Sequence, residues 1–200
     1  PNEILLIEPG AMSRMSSNLN SSFQRQGGFF SAMFRKMFGG ENFFLGKYEH
    51  PDGGKLTFAP SIPGHVEHRQ LTNNSLNIMA GGFLACTPGV NIKAKFGGLK
   101  ALFSGEGAFL LEASGSGDLF FNSFGGVVEK EINGEFIVDT GHVVAFDPSL
   151  DYKITGMGSF KSTMLSGEGM VMRFSGNGKL YLQTRNVSSI ASWLTPRLLG

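Results

Sequence analysis

The sequence predicts an all-β protein, and three observations predict it. Glycine and phenylalanine are both abundant, with 29 and 19 copies in 200 residues, a pairing that suits short strands and tight turns around an aromatic core. Apolar runs are short and punctuated by glycine, which is a poor pattern for a helical bundle. Two sequence blocks recur three times in one order, the mark of a fold built by repetition.

The first block reads Ile7-Glu-Pro-Gly10-Ala-Met-Ser-Arg-Met15, Ile78-Met-Ala-Gly81-Gly-Phe-Leu-Ala-Cys86 and Val138-Asp-Thr-Gly141-His-Val-Val-Ala-Phe146, with its glycines 71 and 60 residues apart. That glycine reads as a turn or a close backbone approach between two strands. Next comes a short apolar and basic stretch: Phe34 to Phe38 around Lys36, Leu99 to Phe103 around Lys100, and Phe160 to Leu165 around Lys161. The second block reads Gly40-Glu41-Asn-Phe-Phe44, Gly105-Glu106-Gly-Ala-Phe109 and Gly167-Glu168-Gly-Met-Val171. It is followed by an expected hairpin: Phe109 to Ala113 and Leu119 to Phe124 flank Ser114-Gly-Ser-Gly117, and Val171 to Phe174 and Leu180 to Thr184 flank Ser175-Gly-Asn-Gly178. Copy one has the longer His50-Pro-Asp-Gly-Gly54 there.

A unit of about 60 residues is marginal alone. Three units, approximately 1–72, 73–134 and 135–200, are therefore expected to share one core around a pseudo-threefold axis, making residues 1–200 a single compact body. At the start, the apolar run Ile4 to Ile7 follows Pro1 directly, which raises the expectation that a preceding strand has been removed. At the end, Ser188 to Leu194 reads as one or two helical turns ended by Pro196, with Trp193 anchored against the sheet.

Lys and Arg total 17 against 16 Asp and Glu, so the net charge is +1 and nothing points to nucleic acid. Cys86 is the only cysteine, which excludes an internal disulfide and a cysteine-based zinc site and makes the cytoplasm the default location. No apolar stretch is long enough for a transmembrane helix. Gly-x-Ser-x-Gly, Gly-x-Gly-x-x-Gly and the P-loop are all missing, so no catalytic residue and no cofactor is expected.

Two repeated trios are the candidate ligand-binding residues. Glu41, Glu106 and Glu168 would hold a hard cation or a cationic ligand if they converged on the axis, and Lys36, Lys100 and Lys161 would hold an anion. The simpler reading, and the favoured one, gives the glutamates turn or ion-pair roles and leaves the lysines solvated. His65 and His68 are read as a loop pair with no third metal ligand, and His142 as a hydrogen-bonded histidine of an apolar strand. Phe29, Phe30, Met33, Phe34, Met37 and Phe38 are spaced as in a short amphipathic helix, a surface for a protein partner or for a membrane periphery.

Several stretches together resemble the altered inheritance of mitochondria protein 24 family over nearly the whole chain. They are Glu8-Pro-Gly-Ala-Met12, Leu56-Thr-Phe-Ala-Pro-Ser61, Gly97-Gly-Leu-Lys100, Ser104-Gly-Glu-Gly107, Val138-Asp-Thr-Gly-His142, Ser166-Gly-Glu-Gly169, Leu182-Gln-Thr-Arg185 and Trp193-Leu194. The resemblance implies a fold like that of the tryptophan RNA-binding attenuation protein, with bent β-ribbons repeated three times in one chain. It does not carry RNA binding with it. The expectation is a non-enzymatic, homo-oligomeric binding or scaffold protein. The alternative is an enzyme or a small-molecule or ion sensor with its site on the pseudo-threefold axis.

Overall fold

The computed structural model describes residues 1–25, 44–79, 81–96, 109–156 and 170–198. The order is β1 (Ile4–Ile7), β2 (Met12–Met15), β3 (Asn20–Arg25), β4 (Phe44–Glu49), β5 (Leu56–Phe58), β6 (Val66–Met79), β7 (Phe83–Cys86), β8 (Val90–Phe96), β9 (Phe109–Asn122) and β10 (Val127–Asp139). A 3-10 turn (Thr140–His142), β11 (Val143–Phe146), β12 (Leu150–Gly156), β13 (Met170–Gln183) and the helix α1 (Val187–Leu198) complete it. The protein is mostly β, as expected from its glycine and phenylalanine content. Among the described residues, eleven strands form one antiparallel sheet in the order β10-β13-β11-β6-β9-β7-β1-β4-β3, with β12 on β13 and β8 on β9, while β2 and β5 form a separate pair.

The first sequence block coincides each time with a strand, a turn and a second strand. Gly10 and Gly81 turn at φ +86° and +83°, a region costly for any side chain. Gly141 instead lies in the 3-10 turn and donates its N–H to Asp139 Oδ1 at 2.8 Å.

The two expected hairpins at Ser114 to Gly117 and Ser175 to Gly178 do not form. β9 and β13 run unbroken through them, each 14 residues long. The glycines sit where a strand changes neighbour: β9 leaves β8 after Gly115 and meets β7 from Leu119, and β13 leaves β12 after Gly176 and meets β11 from Leu180. At such a crossing the next connection passes close to the strand, so a Cβ at Gly176 would lie 2.8 Å from the Ser149 carbonyl oxygen. Close approach, with positive φ at Gly115, Gly117 and Gly176, selects glycine along these strands. In copy one, His50 to Gly54 does break the chain between β4 and β5, with Gly53 N–H donating to His50 O.

Two strand junctions hold the sheet together at equivalent places in the blocks. β1 meets β7 as Leu6↔Cys86 and Ile7↔Ala85, and β6 meets β11 as Asn77↔Phe146 and Ile78↔Ala145. β7 and β11 are buried throughout, whereas β2, at the same block position, is exposed throughout. The buried apolar side chains include Leu6, Ile78, Leu111, Phe121 and Tyr181, with the Phe121 and Tyr181 rings edge to face at 5.4 Å.

α1 is longer than the sequence suggests, with Pro196 inside it. Asn186 starts it by accepting the Ser188 N–H at 2.8 Å. No α1 residue is buried, and Trp193 is 58% exposed. It is not an anchor against the sheet: its ring packs under the Arg197 guanidinium of its own helix at 4.2 Å.

Candidate functional site

The sequence candidates Glu41, Glu106, Glu168, Lys36, Lys100 and Lys161 lie outside the described residues, as do Phe29, Phe30, Met33, Phe34, Met37 and Phe38. The strands flanking them end in register at Arg25↔Phe44, Phe96↔Phe109 and Gly156↔Met170. Each of the segments 26–43, 97–108 and 157–169 therefore joins the ends of one antiparallel pair.

A cleft of about 380 Å³ opens between the Gly81 turn, the 3-10 turn and the start of α1. Its polar lining is Ser61, Asn122, Thr140, Gln183, Asn186 and Ser188. Gln183 is held at both ends, its Nε2 donating to Gly141 O at 2.7 Å and its Oε1 accepting the Phe124 N–H at 2.8 Å. Among the described residues its lining carries no charged side chain, so these residues offer hydrogen bonds to a small neutral molecule without a group that moves a proton near neutral pH.

A second cleft, about 300 Å³, is lined by Glu3, Tyr48, Glu49, His50, Asp118 and Phe120 among others. Two of its carboxylates are already engaged, Glu49 with Lys47 Nζ at 2.7 Å and Asp118 with His68 Nε2 at 2.7 Å. His68 stacks on Phe120 with ring centres 4.8 Å apart.

The histidine pair belongs to a strand and its approach rather than to a loop. His68 lies in β6 and His65 just before it; a three-residue step along an extended chain turns side chains to opposite faces. Each accordingly has its own carboxylate, Glu67 for His65 at 3.3 Å and Asp118 for His68. His142 lies in the 3-10 turn rather than in the strand, with Nδ1 2.8 Å from Gln183 O. Among the described residues no three His, Cys, Asp or Glu side chains gather as metal ligands would.

One cluster has no signal in the sequence because its members are far apart along it. Arg69 donates to the Tyr181 hydroxyl and lies over that ring at 5.4 Å. Glu129 accepts from Lys179 at 2.5 Å and lies 3.9 Å from Arg69. This network ties β6, β10 and β13 together. Burial pushes the Glu8 carboxyl up to about 7 and the Cys86 thiol up to about 12.

The outer surface carries apolar groups that the sheet does not use. Met12 and Met15 on β2 are each 39% exposed. On α1, Val187, Ile190, Leu194 and Leu198 are exposed and, at steps of three and four, share one helix face. No described helix is long and apolar enough to cross a membrane.

The family model described as mitochondrial biogenesis AIM24 matches residues 1–185. An uncharacterised protein of Streptococcus pyogenes serotype M6 is 32% identical over 183 residues, which covers 90% of this chain and 74% of that protein. The crystal structure of a Streptococcus pyogenes protein solved by structural genomics superposes with a TM-score of 0.80 at 28% identity, covering 98% of this chain and 90% of that one.

Proposed function

We propose that this chain, which belongs to the mitochondrial biogenesis AIM24 family, is a non-enzymatic binding or scaffold protein that assembles with copies of itself in the cytoplasm. One observation carries the reading: among the described residues β2 pairs only with β5 and stays exposed along its length, while its block equivalents β7 and β11 are buried between neighbours. An unpaired strand edge offers backbone donors and acceptors to another chain. The same reading takes the three sequence copies as bent ribbons joined edge to edge, as β1 is to β7 and β6 to β11.

Light scattering of the purified protein, paired with native mass spectrometry, tests it. A defined oligomer carrying no small molecule is the expected result. A monomer with a stoichiometric bound species would overturn it in favour of a sensor or enzyme.

The exposed apolar face of α1 favours a second reading, association with a membrane surface. Co-sedimentation with vesicles containing anionic lipid, lost in Leu194→Glu, would support it. Failure of the unaltered protein to sediment would remove it.

A further inference from the structure

We infer that copies of this chain join head to tail, the free edge of β10 in one copy pairing antiparallel with β2 of the next. The inference rests on the self-association proposed above and specifies its surface and register.

Both edges are open at opposite ends of the same pattern. Among the described residues, β10 ends the strand order of the large sheet and pairs with β13 alone, and β2 pairs with β5 alone. Ile137 on β10 is 45% exposed, and Met15 on β2 is 39% exposed. The chain twice makes the contact these edges lack. In the block alignment, Leu6, Asn77 and Ile137 share one position, as do Cys86, Phe146 and Met15. Leu6 pairs with Cys86 and Asn77 with Phe146, which leaves Ile137 and Met15 as the unused pair. The next position repeats the logic: Ile7 pairs with Ala85 and Ile78 with Ala145, leaving Val138 and Arg14.

Backbone polarity agrees. Glu8 N–H donates to Leu84 O at 2.9 Å across the first junction; the equivalent bond here runs from Asp139 N–H to Ser13 O. Ser16 N–H donates inward to Lys55 O at 2.8 Å. By alternation along the strand, Met15 presents its N–H outward, away from β5.

Side chains set the strength. Where the buried strands have Leu84-Ala85 and Val144-Ala145, β2 has Ser13-Arg14. A contact carrying an arginine and a serine stays partly solvated, so association is reversible and rises with concentration. A head-to-tail contact makes a ring if its rotation closes and a filament if it does not.

The test uses two variants. Met15→Pro removes an outward donor of β2 without touching the β5 pairing, and Ile137→Lys places a charge on the β10 edge. Circular dichroism and thermal unfolding establish that each is folded. By light scattering across concentration, each variant alone is expected to run at single-chain mass. An equal mixture is expected to form a dimer of one of each, because each retains the edge that the other lacks. A wild-type oligomer unchanged by both variants would overturn this inference while leaving self-association standing. A wild type monomeric at every concentration would overturn both.

Discussion

At the residue scale, burial sets two expectations. Glu8, at the first block, is pushed up to about 7 by desolvation from an ordinary 4.5. Such a carboxyl binds its proton more tightly in the folded chain than in the unfolded one. Its contribution to stability is therefore full below about pH 4.5 and is lost as pH rises to about 7. Glu8→Gln is expected to leave the urea midpoint unchanged near pH 4 and to add on the order of 1–3 kcal/mol at pH 8. An equal gain at both values would show that charge burial is not the cause. The second expectation compares two glycines that face each other across β10 and β13. Gly134 has φ +101° and open space at its Cβ position, whereas Gly176 has φ +117° and the Ser149 carbonyl there. Gly134→Ala should cost on the order of 1–3 kcal/mol for backbone strain alone, and Gly176→Ala distinctly more. Equal losses in chemical denaturation would mean the close approach is not what selects glycine.

At the element scale, the long strands are where sequence reasoning and structure diverge most instructively. Ser114-Gly-Ser-Gly117 has the composition of a hairpin turn, but composition does not distinguish a chain that reverses from one that bends beneath a crossing neighbour. That distinction depends on Gly89 and Thr87, distant in sequence, whose backbone and side chain occupy the space that a Cβ on Gly115 or Gly117 would need. The first block was legible because its signal is local: Gly10 and Gly81 need positive φ wherever the rest of the chain lies. Trp193 was misread for the converse reason. A lone tryptophan near a terminus suggests an anchor, but α1 buries none of its residues. As the only tryptophan, it reports directly on this helix. Native emission is expected at the long wavelength of a hydrated indole and open to acrylamide quenching. A blue-shifted, quencher-resistant signal that persists on dilution would contradict an exposed α1.

At the scale of the whole molecule, the family and the β character were readable because eight short motifs spread along the chain agree with one another. The glutamate and lysine trios were equally visible, but their positions fall outside the described residues. The open edges had a signal that alignment of the blocks exposes: Ser13 and Arg14 stand where the other two copies carry apolar residues. A strand with that composition is built to meet water for part of its life. The sheet thus has two internal junctions, and the inferred third is made between molecules. Native-state amide hydrogen exchange, followed over a concentration series, tests that claim most directly. Protection at Met15 on β2 and at Ile137 and Asp139 on β10 is expected to rise together with concentration, while the buried strand β7 stays unchanged. Rapid exchange on β2 and β10 at every concentration would contradict it.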